Sequence, residues 1–202
     1  MNLISDILYW ISTGLLVPVI VLLIFFFFRA IILIGVFFGK YLQKTKTSAM
    51  FYKKIESLTP ETLGEFSASL PEKSDSVMSV YVKKIIATAD NAAKIDLLLS
   101  DFEIEADKDI ASSNVLTKMG PILGLMGTLI PMGPALVGLS TGDIASMAYN
   151  MQVAFATTVV GLVVSAIGFL TQMMKERWAL KELSMLEYLA DIVKQQSNST
   201  RQ

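Results

Sequence analysis

Three stretches of the chain run without a charged side chain for about as long as a bilayer is thick, or longer. Ile7 to Phe28 carries no charge, and after the single Arg29 the apolar character resumes from Ala30 to Gly39. Met119 to Gly142 is uncharged over 24 residues and Ile144 to Met174 over 31. A helix covers a hydrocarbon core of about 30 Å with roughly 20 residues, so each run is long enough to cross a membrane. The first is not expected to be a cleaved leader, because the preceding MNLISD has no basic residue and the apolar part is too long. Composition agrees: 53% hydrophobic and 17% charged residues are too apolar a mixture for a soluble domain of this length. The chain has no cysteine and no histidine. Thiolate metal sites, disulfides and the commonest general base are therefore excluded, and no enzyme, catalytic residue, metal or cofactor is expected. A net charge of −1 gives no reason to expect a nucleic-acid partner.

Lysine and arginine placement predicts orientation. MNLISD and the link STGDIAS carry no basic residue, whereas Lys40, Lys44, Lys46, Lys53 and Lys54 follow the first span and Lys175, Arg177 and Lys181 follow the third. By the positive-inside rule the N-terminus and the link face outward and the C-terminus is cytoplasmic, in a multi-pass protein of the cell's inner (cytoplasmic) membrane. The expected organisation is an outward N-terminus and first span over 1–39, a helical cytoplasmic insert over 40–112, a second span over 113–142, the outer link and third span over 143–174, and a cytoplasmic amphipathic helix with a disordered tail over 175–202. Arg29 has two readings, a side chain snorkelling to the headgroups or a polar site facing the bundle.

The insert reads as helical. In LTPETLGEF, Thr59 is an N-cap candidate with Pro60 and Glu61 in the first turn, and Pro71 ends that short helix. A second is expected from about Ser74 to Asp90, with Val77, Val80, Tyr81, Ile85 and Ile86 as its apolar stripe. From about Asn91 nothing breaks the pattern before Gly120, so one long helix should run from the cytoplasm into the second span. Its acidic residues Asp96, Asp101, Glu103, Glu105, Asp107 and Asp109 show no fixed ligand spacing and read as a solvated face or charged vestibule. After the third span, Trp178, Met185, Leu189 and Ile192 recur near heptad spacing, widened by Leu183, Leu186 and Val193. That face must be buried, on the insert or on a second copy, and the pattern does not choose. SNSTRQ is expected to be disordered.

The stretch GPILGLMGTLIPMGPALVG, residues 120–138, holds five glycines, three prolines and one threonine. Gly120, Gly124 and Gly127 share one helix face with Thr128 at its edge, and such a face lets another backbone approach closely. Pro131 and Pro134 each remove a backbone donor, so a kink or local unwinding is expected in the outer half of this span. In the third span Thr158, Gly161, Ser165, Gly168 and Gln172 fall on one stripe. These two stripes have a packing reading, with hydroxyls bonded to their own backbone, and a functional one, a hydroxyl-lined seam. No carboxylate lies within either span, so an ion relay would need one from elsewhere.

GPILGLMGTLIPMGPAL followed by AFATTVVGL resembles the paired motifs of the MotA/TolQ/ExbB ion-channel family, over roughly residues 113–175. Three spans, a large insert before the second and a short outer link are similar to the three-span TolQ/ExbB branch. The resemblance implies an all-α membrane protein forming a homopentameric ring around two copies of a single-span partner of the ExbD/TolR/MotB kind. That partner carries the ion-binding aspartate, and ring threonines line its path. The matching positions are Thr128 and Thr158, with Thr157 beside Thr158 and Ser165 further along the stripe. Gly120, Gly124, Gly127, Gly161 and Gly168 are then helix-packing positions. Ion passage, of protons or of sodium, would drive rotation of ring against partner. Val153 stands where TolQ and ExbB types commonly carry a glutamate, so a proton step assigned to that glutamate has no counterpart here. The Thr157–Thr158 pair resembles the sodium-driven stators. The competing expectation is a non-conducting scaffold whose stripes only pack helices; a transporter would need an internal repeat, which three unlike spans do not provide, and a membrane enzyme a nucleophile, base or metal cluster within the bilayer.

Overall fold

The computed structural model of the chain describes residues 2–56, 62 and 77–200, and these are helical apart from short turns. The helices are α1 (Asn2–Gly14), α2 (Leu16–Glu56), α3 (Val77–Ala87), α4 (Ala92–Thr141) and α5 (Ile144–Thr200). The short helix expected from Thr59, with Pro60, Glu61 and Pro71, lies outside the described residues. Three helical stretches, Ile7–Leu42 through α1 and α2, Ala92–Thr141 (α4) and Ile144–Ser197 in α5, are long and apolar enough to cross a membrane, and the protein is a multi-pass membrane protein.

Local chemistry sets the helix ends. The first apolar run is divided at Leu15 rather than forming one helix. Pro18 has no N–H for the Gly14 carbonyl, while Leu15 N donates to the Ile11 and Ser12 carbonyls, both at 3.1 Å. α4 starts at Asn91, whose side-chain oxygen accepts from Lys94 N at 3.1 Å as an N-cap. α4 and α5 are joined by two residues. Gly142 adopts φ 75°, Asp143 N donates to the Gly138 carbonyl at 2.8 Å and Gly142 N to that of Leu139 at 3.3 Å, a Schellman closure. Asp143 then caps α5, its carboxylate accepting from Ser146 N at 3.0 Å.

α4 passes through Pro121, Pro131 and Pro134 as a single helix. Of the two expectations for its outer half, a kink or local unwinding, the unwinding does not occur. Each proline withdraws only one hydrogen bond from a helix packed along its length, and Pro131 is fully buried. α5 continues to Thr200, through much of the tail expected to be disordered. No glycine or proline follows Gly168 to stop it, and each added residue gains one further bond.

The chain forms two compact units, Met1–Phe38 with Ala111–Met173, and Gly39–Ile110 with Met174–Gln202. In the first, α2 packs across α4 and α5. Val19 and Leu23 meet Leu123, with Phe26, Ile130 and Val160 around them, and Ala30 meets Leu116 and Val164. The outward faces remain apolar: Val21, Phe25, Phe28 and Ile32 on α2 are exposed, as suits helices surrounded by hydrocarbon. Arg29 is exposed rather than turned into this core.

The second unit has its own core. Met78, Tyr81, Val82 and Ile85 of α3 pack with Ile95, Leu98 and Phe102 of α4 and with Leu186, Leu189, Ile192 and Val193 of α5. The amphipathic C-terminal face is thus buried on the insert of its own chain. On α3 the buried stripe differs by one position from expectation: Val77 and Val80 are exposed, and Met78 and Val82 are inside. The acidic residues are divided among different tasks. Asp96 pairs with Lys194 at 2.7 Å, Glu105 accepts from the Tyr81 hydroxyl at 2.9 Å, and Asp109 is held by two lysines. Burial and the Glu105 contact push the Tyr81 phenol up to about 12.

Candidate functional site: the seam between the second and third spans

The glycines of α4 and α5 face each other. A Cβ on Gly120 would lie 2.6 Å from the Gly161 carbonyl oxygen, and one on Gly161 would lie 2.6 Å from the Gly120 oxygen and 2.9 Å from Gly124 Cα. On Gly168 it would meet Thr117 N at 2.6 Å, and on Gly127 the Thr157 hydroxyl at 2.5 Å. Four of the five packing glycines therefore stand where no side chain fits. Gly124 is the looser one, its nearest neighbours at 3.5–3.6 Å being ordinary contacts. In lipid, where no hydrophobic force draws helices together, such backbone approach is what holds the pair.

The hydroxyls of the two stripes part company at this seam. Thr157 is buried opposite Gly127 and donates to the Val153 and Ala154 carbonyls, both at 3.0 Å. Ser165 reaches across, its hydroxyl donating to the Thr117 carbonyl at 3.0 Å. That carbonyl is the one from which Pro121, four residues on, withholds an N–H. Ser165 thus satisfies an oxygen that a proline has freed, and this Pro121–Thr117–Ser165 tie was missed in the sequence although the freed carbonyl is legible from Pro121 alone. Of four candidate path residues, the structure places Thr157 and Ser165 within the packed seam between α4 and α5.

Thr128 and Thr158 are placed differently. α2 covers α4 along Leu116, Leu123 and Ile130, and covers α5 along Val160, Val164 and Ile167. At about 100° per residue, Thr128 lies about 140° around α4 from Leu123, and Thr158 about 160° around α5 from Val160. Both threonines are therefore on the side of the pair away from α2, half-buried, among the exposed Leu125 and Leu162. Gly124 stands opposite Thr158, so Thr128 lies one turn, about 6 Å, along the pair from it. Their protons are already used: Thr128 donates to the Leu125 carbonyl at 2.7 Å and Thr158 to that of Ala154 at 3.0 Å. What remains on each oxygen is acceptor capacity. Such a face can accept from water or hydronium, or coordinate a partly dehydrated cation, but it cannot hold a net charge. Among the described residues no group of three or more His, Cys, Asp or Glu side chains is arranged to hold a metal ion.

The sequence profile of the MotA/TolQ/ExbB proton channel family matches residues 70–187, more than half of the chain, and includes both motif-bearing spans. No curated protein and no solved structure matches the chain. On the profile match, and with three apolar helices, two of them closed by a glycine seam, the chain belongs to the MotA/TolQ/ExbB proton channel family.

Proposed function

We propose that this protein is the ring-forming subunit of an ion-driven motor channel, in which copies of the α4/α5 pair surround the membrane helices of a single-span partner. The observation that carries this is the position of Thr128 and Thr158, on the face of the pair that α2 leaves uncovered, in spans without a carboxylate. A face that offers oxygen acceptors and no charge needs a partner whose acidic side chain binds and releases the ion beside it. The family's five-to-two arrangement, with N-terminus outward in the cytoplasmic membrane, supplies that geometry. The ion is the proton, with sodium as the alternative that the hydroxyl oxygens also suit.

The test uses the complex purified from its own membranes with its partner, reconstituted in vesicles and followed with a pH-sensitive dye with and without sodium. Thr128→Val and Thr158→Val should lose ion-coupled flux while native mass spectrometry shows the same assembly. Unchanged flux in both variants refutes the channel reading. The scaffold reading then takes its place, favoured by one specific observation: the Ser165 hydroxyl is engaged in tying α5 to α4, and that of Thr157 is bonded back to its own helix.

A further inference from the structure

In the second unit, α2, α4 and α5 each contribute to a charged cluster that lies just past the first and third apolar runs. Lys40 Nζ stands 3.3 Å from Asp109 Oδ1, and Lys175 Nζ is 3.4 Å from the same oxygen and donates to the Asp109 backbone carbonyl at 2.7 Å. Lys175 is nearly enclosed, 8% exposed, whereas Lys40 is 53% exposed. Next to Lys40 on α2, Tyr41 stacks on Trp178 of α5, with centroids 6.0 Å apart and planes at 28°. Trp178 follows Lys175 by three residues and so shares its helix face.

The charges do not cancel. Among the described residues, the Lys40 and Lys175 ammonium groups face the Asp109 carboxylate, so these three groups together carry one net positive charge. Burying Lys175 is tolerable only because Asp109 holds it, and that contact occupies the carboxylate that Lys40 must share. Lys40 therefore presents its remaining donors outward, next to a flat aromatic wall, at the depth where a helix that leaves hydrocarbon meets headgroups. Tyrosine and tryptophan favour that depth because one end of each ring system is apolar and the other polar.

We propose that this cluster is a binding site for the phosphate of an anionic membrane phospholipid. Lys40 is the exchangeable donor to the phosphodiester. Asp109 and Lys175 fix its position, and the Tyr41–Trp178 pair lies along the glycerol and upper acyl region. The single excess positive charge selects a headgroup of net negative charge over a zwitterionic one, whose own cation offsets its phosphate. The aromatic wall selects a lipid over free phosphate, which has nothing to lay against it. None of this rests on the channel reading.

The full-length protein in nanodiscs of phosphatidylcholine, alone or with about a quarter phosphatidylglycerol, tests it through thermal melting and the lipid retained in native mass spectrometry. Wild type should retain phosphatidylglycerol and melt higher in its presence. Lys40→Gln should weaken apparent affinity about fivefold, the worth of one basic residue at a membrane surface. Lys40→Arg should keep it, and Lys94→Gln, an exposed lysine elsewhere in the same unit, should behave as wild type. Inorganic phosphate should raise the melting temperature of none of them. Absence of a phosphatidylglycerol effect in wild type, an equal effect in Lys40→Gln, or a gain with inorganic phosphate would each overturn the assignment.

Discussion

Gly161→Ala is the substitution for which the structure makes the strongest demand. The added methyl would stand 2.6 Å from the Gly120 carbonyl oxygen, 2.9 Å from Gly124 Cα and 3.1 Å from Gly124 N, all backbone atoms of α4 that no rotamer change can move aside. Ordinary carbon–oxygen contact needs roughly 0.5–1 Å more, so the two helices must separate locally by about that much. Overpacking of this kind costs about 1–3 kcal/mol. The same displacement stretches the Ser165–Thr117 bond from its 3.0 Å, which adds about 1 kcal/mol for a buried acceptor left unmatched. For a chain of this size each kcal/mol lowers the melting temperature by about 2–4 °C, so a drop of several degrees is expected. Gly124→Ala is the internal comparison, since its methyl would meet nothing closer than 3.5 Å. Thermal melting of both variants in one detergent, read by tryptophan fluorescence, measures the difference. If Gly161→Ala melts at or above wild type, or Gly124→Ala is equally damaging, the seam is not held by backbone approach and the reasoning fails.

Pro121→Ala should return an N–H to the Thr117 carbonyl and so make Ser165 redundant; in a double-mutant cycle Ser165→Ala should cost about 1 kcal/mol in wild type and little in the Pro121→Ala background, whereas equal costs would remove the tie. Thr157→Val, alike in shape, should keep ion-coupled flux within about twofold while Thr158→Val loses it, because only the second points away from the seam; equal losses would place both on the path. Tyr81 should stay protonated well above pH 10, so tyrosinate absorbance should include a late phenol near pH 12 that vanishes in Tyr81→Phe. Its folded value lies above the ordinary 10.0, so the stability it contributes is whole below pH 10 and is lost as pH rises from there towards 12. A wild-type alkaline melting profile identical to that of Tyr81→Phe would contradict this.

How far the sequence reaches depends on whether a feature is local or shared between elements. Length without charge is a property of one segment, so the three spans were legible from it. So were the start of α4 at about Asn91, from the unbroken pattern that follows it, and the short link STGDIAS between the second and third spans; the Asn91 cap and the left-handed Gly142 that set those ends act within a few residues but were not read. Glycine spacing likewise named the seam residues, since periodicity determines which residues share a face.

Periodicity does not say what covers that face. Thr157 and Thr158 are neighbours in the chain, yet the course of α2 over Val160 and Val164 and the approach of Gly127 enclose the first and leave the second at an open side. Ser165 belongs to the same stripe as Thr158, but an oxygen freed by a proline on another helix claims its hydroxyl. The apolar face of the C-terminal helix could have met another copy; it meets α3 and α4 of its own chain. The acidic residues of α4, one cluster along the chain, are parted by helix rotation towards Lys194, Tyr81 and the Lys40–Lys175 pair. The sequence by itself determined that these helices exist and which faces can approach. Only the tertiary structure decided which face each neighbour takes, because that choice is made by contacts between residues far apart in the chain, whose energies no single segment contains.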